Sequence, residues 1–154
     1  MPVNPDYVGR TYPVSEPYEV SRVKIREFAD AIGDPSPVYR DAEAARAAGY
    51  PDVIAPPTFA IVISMASTAG AVGDPGLGIN YAMVVHGEQK FQYSRPIGPG
   101  DVVTAQTTIS GIRSTGSLSM MTTSTEIRTT AGEHVCTAVS TLVERGASSE
   151  GASS

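Results

Sequence analysis

Residues 52–74 read DVIAPPTFAIVISMASTAGAVGD, and no charged residue lies between the two aspartates that end this stretch. Its central part, residues 59–69, has the length and composition of one buried helix. Pro56 and Pro57 precede it, and proline suits a first helical turn because the nitrogen there would lack an intrahelical partner anyway. Two glycines follow it, and glycine commonly ends helices. The sequence therefore predicts one apolar helix in the interior, with the rest of the chain packed around it.

A membrane span is the alternative interpretation of the same stretch. A span needs about 18 or more predominantly apolar residues. Here the continuous apolar run covers only residues 59–63, and prolines, serines, threonines and glycines interrupt the remainder. We therefore expect a core helix and no membrane partner.

Composition limits the functional classes further. The chain has 154 residues, of which 41% are hydrophobic and 18% are charged, which is typical of a globular domain. We predict one domain over residues 1–145, followed by a flexible low-complexity tail, GASSEGASS, at residues 146–154. A net charge of −5 argues against nucleic acid as a partner, because phosphates require a basic surface.

Cysteine and histidine are scarce. One cysteine, Cys136, excludes a disulfide within the chain, and it falls in a strand-like run where it is most simply a small core residue. The two histidines, His86 and His134, are too few for a multi-histidine metal site. We expect no metal or cofactor. The N-terminus lacks the pattern of a signal peptide, so the expected compartment is the cytoplasm.

Helices are predicted in the first half of the chain and strands in the second. The first 17 residues, with four prolines, should be extended. Ser21 should cap a helix that Gly33 ends. Its apolar face should carry the residues spaced i, i+3, i+4 and i+7, namely Ile25, Phe28, Ala29 and Ile32. Asp41 should cap a second, short helix. The predicted strands then cover residues 81–96, 102–112, 118–128 and 134–144. This order indicates an α+β architecture with an antiparallel sheet.

Three stretches carry a family resemblance: GDPSPVYRD at 33–41, GYPDVIAPPTF at 49–59 and HGEQKFQYSRPIGPGD at 86–101. With the apolar helix between them, they resemble the MaoC-like hot-dog proteins, and more narrowly the N-terminal-type MaoC dehydratase domain. That group includes subunits of mycobacterial (3R)-hydroxyacyl-ACP dehydratases. The resemblance implies a hot-dog fold, in which a strongly bent antiparallel sheet wraps a central helix, and a dimer whose two sheets join. It also implies an acyl-CoA or acyl-ACP thioester as ligand.

The catalytic motif of active family members is changed in this chain. That motif has the form GD-x-N-P-x-H, and its aspartate and histidine add or remove water across the 2,3-bond of an acyl thioester. The resemblance places Asp34 on the aspartate, Ser36 on the asparagine and Tyr39 on the histidine. It places Pro57 on a glycine whose N–H helps to bind the thioester oxygen, and proline has no N–H to donate. Loss of one oxyanion donor typically lowers the rate about 100- to 1,000-fold.

The predicted function is therefore a subunit with a degenerate site. It would bind the acyl group through Ile54, Pro57, Thr58 and Phe59 and would serve as scaffold, while a MaoC-like partner subunit supplies the working Asp/His pair. A homodimer is the other possible assembly.

Three alternatives remain open at this point. The chain could be a self-sufficient hydratase that uses Asp34 with Tyr39 or water, or a non-enzymatic acyl-thioester binding module. It could also be a hot-dog thioesterase, for which Asp52 is the nearby carboxylate. Outside the site, we expect His134 to be exposed, His86 to be structural or to lie at the dimer seam, and Arg95 to be solvated.

Overall fold

The structure of the protein is a computed structural model that describes residues 3–146. All but the first residue of the predicted tail lies outside the described residues. The helices are α1 (Arg22–Ala31), α2 (Ala42–Ala47) and α3 (Ala60–Val72), and the strands are β1 (Tyr18–Glu19), β2 (Val84–Tyr93), β3 (Val102–Thr115), β4 (Leu118–Thr129) and β5 (His134–Arg145).

The five strands form one antiparallel sheet with the order β1-β3-β4-β5-β2. Hairpins join β3 to β4 and β4 to β5, whereas β2 pairs with the far side of β5 and so forms one edge of the sheet. The sheet curls over α3, and side chains buried on its inner face alternate along β3 and β4, as expected for a sheet with one face on the core. The α+β hot-dog architecture predicted from the sequence is confirmed.

Small residues let α3 approach the sheet closely. Ala60, Ser64, Ser67 and Ala71 are buried on its sheet-facing side. The Ser67 hydroxyl lies 2.8 Å from Oγ1 of Thr107, so the buried polar groups of helix and sheet satisfy each other. The central helix predicted from the sequence is thus present. No helix within residues 3–146 has the length and apolarity needed to cross a membrane.

The capping signals of the first two helices are confirmed. Ser21 Oγ accepts the Lys24 N–H at 3.1 Å at the start of α1, and the Asp41 carboxylate accepts the Glu43 N–H at the start of α2. Gly33 ends α1 with φ +71°, a conformation that glycine adopts without steric cost. Ile32 was predicted on the apolar face of α1, but it is 48% exposed because the helix has already ended at Ala31.

The N-terminal segment differs from the extended chain that the sequence predicts. Residues Pro5–Tyr7 form a 3-10 turn, and the chain then runs along β3, where the Tyr12 N–H donates to Thr107 O at 2.9 Å. The predicted strand at 81–96 is shorter than expected, because Tyr81–Met83 form another 3-10 turn. Strand β1 was not predicted, since two residues carry no periodic signal.

Candidate functional site

The loop after α1 holds the Asp34 carboxylate in a local turn. Asp34 Oδ1 accepts the Ser36 N–H at 3.0 Å, and the Asp34 N–H donates to Ala29 O at 3.0 Å. The Arg40 guanidinium donates to Asp34 O and forms an ion pair with Asp30. One carboxylate oxygen of Asp34 is therefore engaged in the turn that the sequence Asp-Pro-Ser favours.

Tyr39, at the end of the same loop, belongs to the core. It is 9% exposed and lies in the cluster of buried residues that includes Ile25 and Phe59. Burial is the main cause that raises its pKa, followed by the charges of Asp34 and Tyr50. The phenol therefore stays protonated at neutral pH, and it cannot serve as a general base.

The start of α3 is held by a strand residue that the sequence analysis did not single out. Tyr93 on β2 donates its hydroxyl proton to Pro57 O at 2.5 Å, and the Tyr93 oxygen itself accepts the Ala60 N–H. Burial, followed by the neighbouring Cys136 thiol, raises the pKa of Tyr93 above its usual range. Burial likewise raises the pKa of Cys136 to about 11. The Tyr93 hydroxyl thus forms hydrogen bonds with the backbone at the start of α3, where Pro57 itself has no N–H to donate.

The lead-in to α3 is bonded to two other segments. The Ile54 N–H donates to Val38 O at 3.1 Å, which joins the lead-in to the Asp34 loop. The Ala55 N–H donates to Ile97 O at 2.7 Å. Ile54 and Arg95 line a groove of about 400 Å³ at this junction.

Arg95 was predicted to be solvated, but it is half-buried and holds the segment at 95–101 together. Its guanidinium donates two hydrogen bonds of 2.9 Å to the Asp101 carboxylate, and its Nε donates to Glu133. Asp101 also accepts the Gly98 N–H at 2.9 Å. The hydrogen bonds that Arg95 donates to Asp101 are the main cause that raises the pKa of Arg95; burial opposes this rise, and the bond donated to Glu133 adds to it. The stretch RPIGPGD is therefore a structural clamp.

A larger groove of about 660 Å³ runs between α3 and the edge strand β2. Most of its wall is apolar, and it includes Ile61, Met65, Ala69, Val72, Val84 and Leu142. Residues 59–69 were predicted to form one buried helix, but its Ile61 and Met65 line the groove, and Met65 is 61% exposed. Ile63 is the buried core residue of this turn. Apolar grooves of this volume are typical of small-molecule sites.

The predicted ligand-contacting residues separate in the structure. Pro57 and Thr58 are exposed at the start of α3, and Ile54 lines the smaller groove. Phe59 is instead fully buried, with its ring edge-on to Phe28 at 5.4 Å between centroids. Phe59 is therefore a core residue, since its ring packs against Phe28 of α1.

The remaining candidates also have structural partners. Asp52 forms an ion pair with Arg22, and that hydrogen bond, followed by the Val53 N–H, lowers the pKa of Asp52. His134, predicted to be exposed, is half-buried because its Nε2 lies 2.8 Å from Thr137 Oγ1 and 3.5 Å from the Glu126 carboxylate. His86 lies on β2 and lines the larger groove.

Comparisons with known proteins agree with the observed fold. Residues 6–138 match the family described as FAS1-like, dehydratase domain region. A UPF0336 protein of Thermobifida fusca is 58% identical over 95% of this chain and 96% of the relative.

Among solved structures, a MaoC-like dehydratase aligns with a TM-score of 0.83 and 33% identity over 92% of this chain. The aligned part is 43% of that longer chain. The HadBC (3R-hydroxyacyl-ACP dehydratase) complex of Mycobacterium tuberculosis aligns with a TM-score of 0.78 and 26% identity, covering 90% of this chain and 97% of the matched one. Because the match covers most of the sequence and the fold agrees, the chain belongs to the FAS1-like dehydratase domain family.

Proposed function

We propose that this chain is the acyl-binding, non-catalytic subunit of a 3-hydroxyacyl-thioester dehydratase. In the reverse direction, the same enzyme adds water (R)-specifically to an enoyl thioester. The observation that carries the proposal is Tyr39. It stands where active relatives have the catalytic histidine, and its phenol is packed into the core. A buried, protonated phenol cannot take up the proton that a dehydratase must remove.

Two other features support a degenerate site. The Asp34 carboxylate accepts the Ser36 N–H within its own turn. Pro57 offers no N–H to a thioester oxygen, and its own carbonyl is bonded to the Tyr93 hydroxyl. Base and oxyanion donor are therefore both missing at the place where the family carries out its chemistry.

The larger groove supports acyl binding. It starts near Ile61, the second residue of α3, and follows the helix to Gly73. Its mostly apolar wall suits methylene groups, each of which contributes about 0.8 kcal/mol when it is removed from water. An acyl chain that begins at the start of α3 could extend along this wall.

The edge strand supports a partner subunit. Among the strands of residues 3–146, β2 pairs on one side only, with β5, and a long edge strand with exposed backbone groups is a common site of strand addition. Two exposed apolar side chains outside the groove, Met83 just before β2 and Val85 on it, add to this surface. The HadBC relative is a complex of two kinds of subunit by its description. A MaoC-like partner with an intact Asp/His motif is the partner we propose, and an acyl-CoA or acyl-ACP thioester is the proposed ligand.

A hydratase assay tests this function directly. The purified chain and the chain coexpressed with a MaoC-like partner are each assayed with crotonyl-CoA and a longer trans-2-enoyl-CoA. We expect activity only in the pair, together with copurification of the two chains. Ordinary enzymatic activity of the chain alone would refute the proposal and would favour the self-sufficient hydratase. Saturable acyl-CoA binding without turnover in any pairing would favour a binding module.

The Asp34→Asn variant examines the role of the carboxylate in the active pair. We expect kcat/KM to change by less than about threefold, because removal of a working general acid or base would lower it about 100- to 10,000-fold. The same Asp→Asn change in the partner's motif is the matched control and should cause that large loss. A large loss from Asp34→Asn, with the fold intact by circular dichroism, would make Asp34 a catalytic group.

A further inference from the structure

The end segment, residues 73–83, crosses the larger groove at its far end. It joins the two walls of the groove, since α3 ends at Val72 and β2 begins at Val84. The walls run in opposite directions, because Tyr93 at the end of β2 contacts Pro57 just before α3. Val72 and Val84 both line the groove. The chain itself therefore bounds the groove at the end that lies away from the start of α3.

Tyr81 supplies the side chain with which the end segment reaches the groove. The structure describes the whole of this segment, and of its residues Gly73 and Tyr81 line the groove. Because glycine has no side chain, the Tyr81 ring forms the end of the wall. The ring is 64% exposed, so its replacement removes little of the core. Met83 lies in the same 3-10 turn and is 39% exposed, but it does not line the groove.

Hydrogen bonds from the sheet hold the turn that carries Tyr81. Glu144, near the end of β5, is only 5% exposed, and its carboxylate accepts the Asn80 N–H. Asn80 Oδ1 in turn accepts the Ala82 N–H at 3.2 Å, and Asn80 O accepts the Met83 N–H at 2.9 Å. Hydrogen bonds to an ionised acceptor are stronger than neutral ones. Glu144 therefore anchors the turn to the sheet and fixes the position of the ring.

The N-terminal segment holds the first half of the end segment. Leu77 is fully buried, and its carbonyl oxygen accepts the Asn4 N–H at 2.9 Å. The Asp74 carboxylate accepts the Tyr12 hydroxyl proton at 3.1 Å and lies 3.4 Å from Arg10 Nε. Since both halves of the end segment are bonded to the rest of the domain, a ligand in the groove meets a fixed boundary.

The groove has a definite length between its start and this boundary. From Ile61 to Gly73, α3 rises by about 18 Å at about 1.5 Å per residue. An extended chain of single bonds advances about 1.2 Å per bond, since an extended residue spans about 3.6 Å over its three bonds. The groove therefore accommodates about 15 bonds of an extended acyl chain. Each methylene group inside it should tighten binding about fourfold, and methylene groups beyond it should add nothing.

We propose that Tyr81 sets the longest acyl chain that this subunit binds along its full length, roughly 16 carbons, and that Glu144 positions the turn that carries Tyr81. This inference rests on the proposed acyl-binding function and specifies its ligand as a long-chain acyl thioester. A chain of that length reaches from the start of α3 to the Tyr81 ring, and further carbons extend into water. A smaller side chain at position 81 should move this limit to longer chains.

Isothermal titration with saturated acyl-CoAs tests the inference, from decanoyl-CoA to eicosanoyl-CoA in steps of two carbons and below their micelle-forming concentrations. The measured quantity is the break, the chain length at which the dissociation constant stops falling. In the wild type, each step before the break should tighten binding about 15-fold. Tyr81→Ala should move the break to chains about two to four carbons longer, because loss of a ring leaves space that a longer chain fills.

Two controls assign this effect to the ring and to its anchor. Met83→Ala, in the same turn but outside the groove, should leave the break where it is. Glu144→Ala should move the break in the same direction as Tyr81→Ala, whereas Glu144→Gln keeps an acceptor oxygen for the Asn80 N–H and should restore the wild-type break. Circular dichroism checks that each variant is folded, and the exposed Tyr81 variant decides the question if Glu144→Ala is not.

The outcomes separate the inference from the function on which it rests. If the acyl-CoAs bind but the break is the same in wild type and Tyr81→Ala, or if Met83→Ala moves it equally, the role of Tyr81 is overturned while acyl binding stands. Affinity that keeps rising through eicosanoyl-CoA in the wild type would also overturn it. A break that Glu144→Gln moves as far as Glu144→Ala does would refute the positioning role. If no acyl-CoA binds to the chain or to the coexpressed pair, acyl binding itself fails and the inference fails with it.

Discussion

Ala69→Trp should weaken binding of a long acyl-CoA about 100- to 200-fold while it leaves the fold intact. Ala69 is exposed on α3 and lines the larger groove, so an indole side chain there would occupy the space proposed for the acyl chain. Exclusion of four methylene groups would cost about 3 kcal/mol at about 0.8 kcal/mol each, which corresponds to that loss. Titration of the variant with tetradecanoyl-CoA measures the effect.

Two controls make this result specific to the groove. Ala66→Trp introduces the same side chain on an exposed position of the same helix that does not line the groove, and it should bind the long chain normally. Crotonyl-CoA should bind both variants alike, because four carbons do not reach far along α3. Unchanged long-chain binding by Ala69→Trp would show that the acyl chain lies elsewhere, and equal loss in both variants would indicate a general effect on the fold.

Phe59→Ala should lower the free energy of unfolding by about 3–5 kcal/mol. Phe59 is fully buried at the start of α3 and packs edge-to-face on Phe28. Removal of a buried phenylalanine ring combines lost transfer energy with the cost of the cavity left behind. Urea denaturation followed by circular dichroism measures the loss. Thr58→Ala, at the exposed neighbouring position, should change stability by no more than about 0.5 kcal/mol.

The same variant distinguishes the two roles considered for Phe59. The sequence suggested that this ring contacts the acyl group, in which case Phe59→Ala would weaken acyl-CoA binding at nearly normal stability. The buried position predicts the opposite pattern, with a large loss of stability and little direct effect on binding once the protein is folded. A loss below about 1 kcal/mol would contradict the core role.

Several features of the fold follow from local sequence. Ser21 and Asp41 cap their helices as predicted, and Gly33 ends α1, because these signals depend on hydrogen bonds and dihedral angles within a few residues. The apolar stretch after Pro57 forms α3 because no charged residue interrupts it. The fold class was predictable for the same reason, since the change from helical to alternating patterns is readable along the chain.

The site was predictable only at the positions that lie in the quoted motifs. Asp34, Tyr39 and Pro57 could be compared residue by residue with the family pattern, which is why a degenerate site was predicted before the geometry was known. Tyr93 could not be found in this way, because it lies 36 positions after Pro57 and meets it only when the chain between them folds back. Phe59 likewise needed the tertiary structure, because sequence position alone does not say to which side of a helix start a ring points.

The sequence by itself determined the apolar central helix, the caps and the run of strands, and the family resemblance places Tyr39 and Pro57 where active members carry a histidine and a glycine. The tertiary structure decided what no local pattern encodes. It placed β2 at the edge of the sheet and opened the groove beside α3. The physical reason is range: caps and periodicity act over one or two turns, whereas strand register and grooves arise from contacts between residues far apart in the chain.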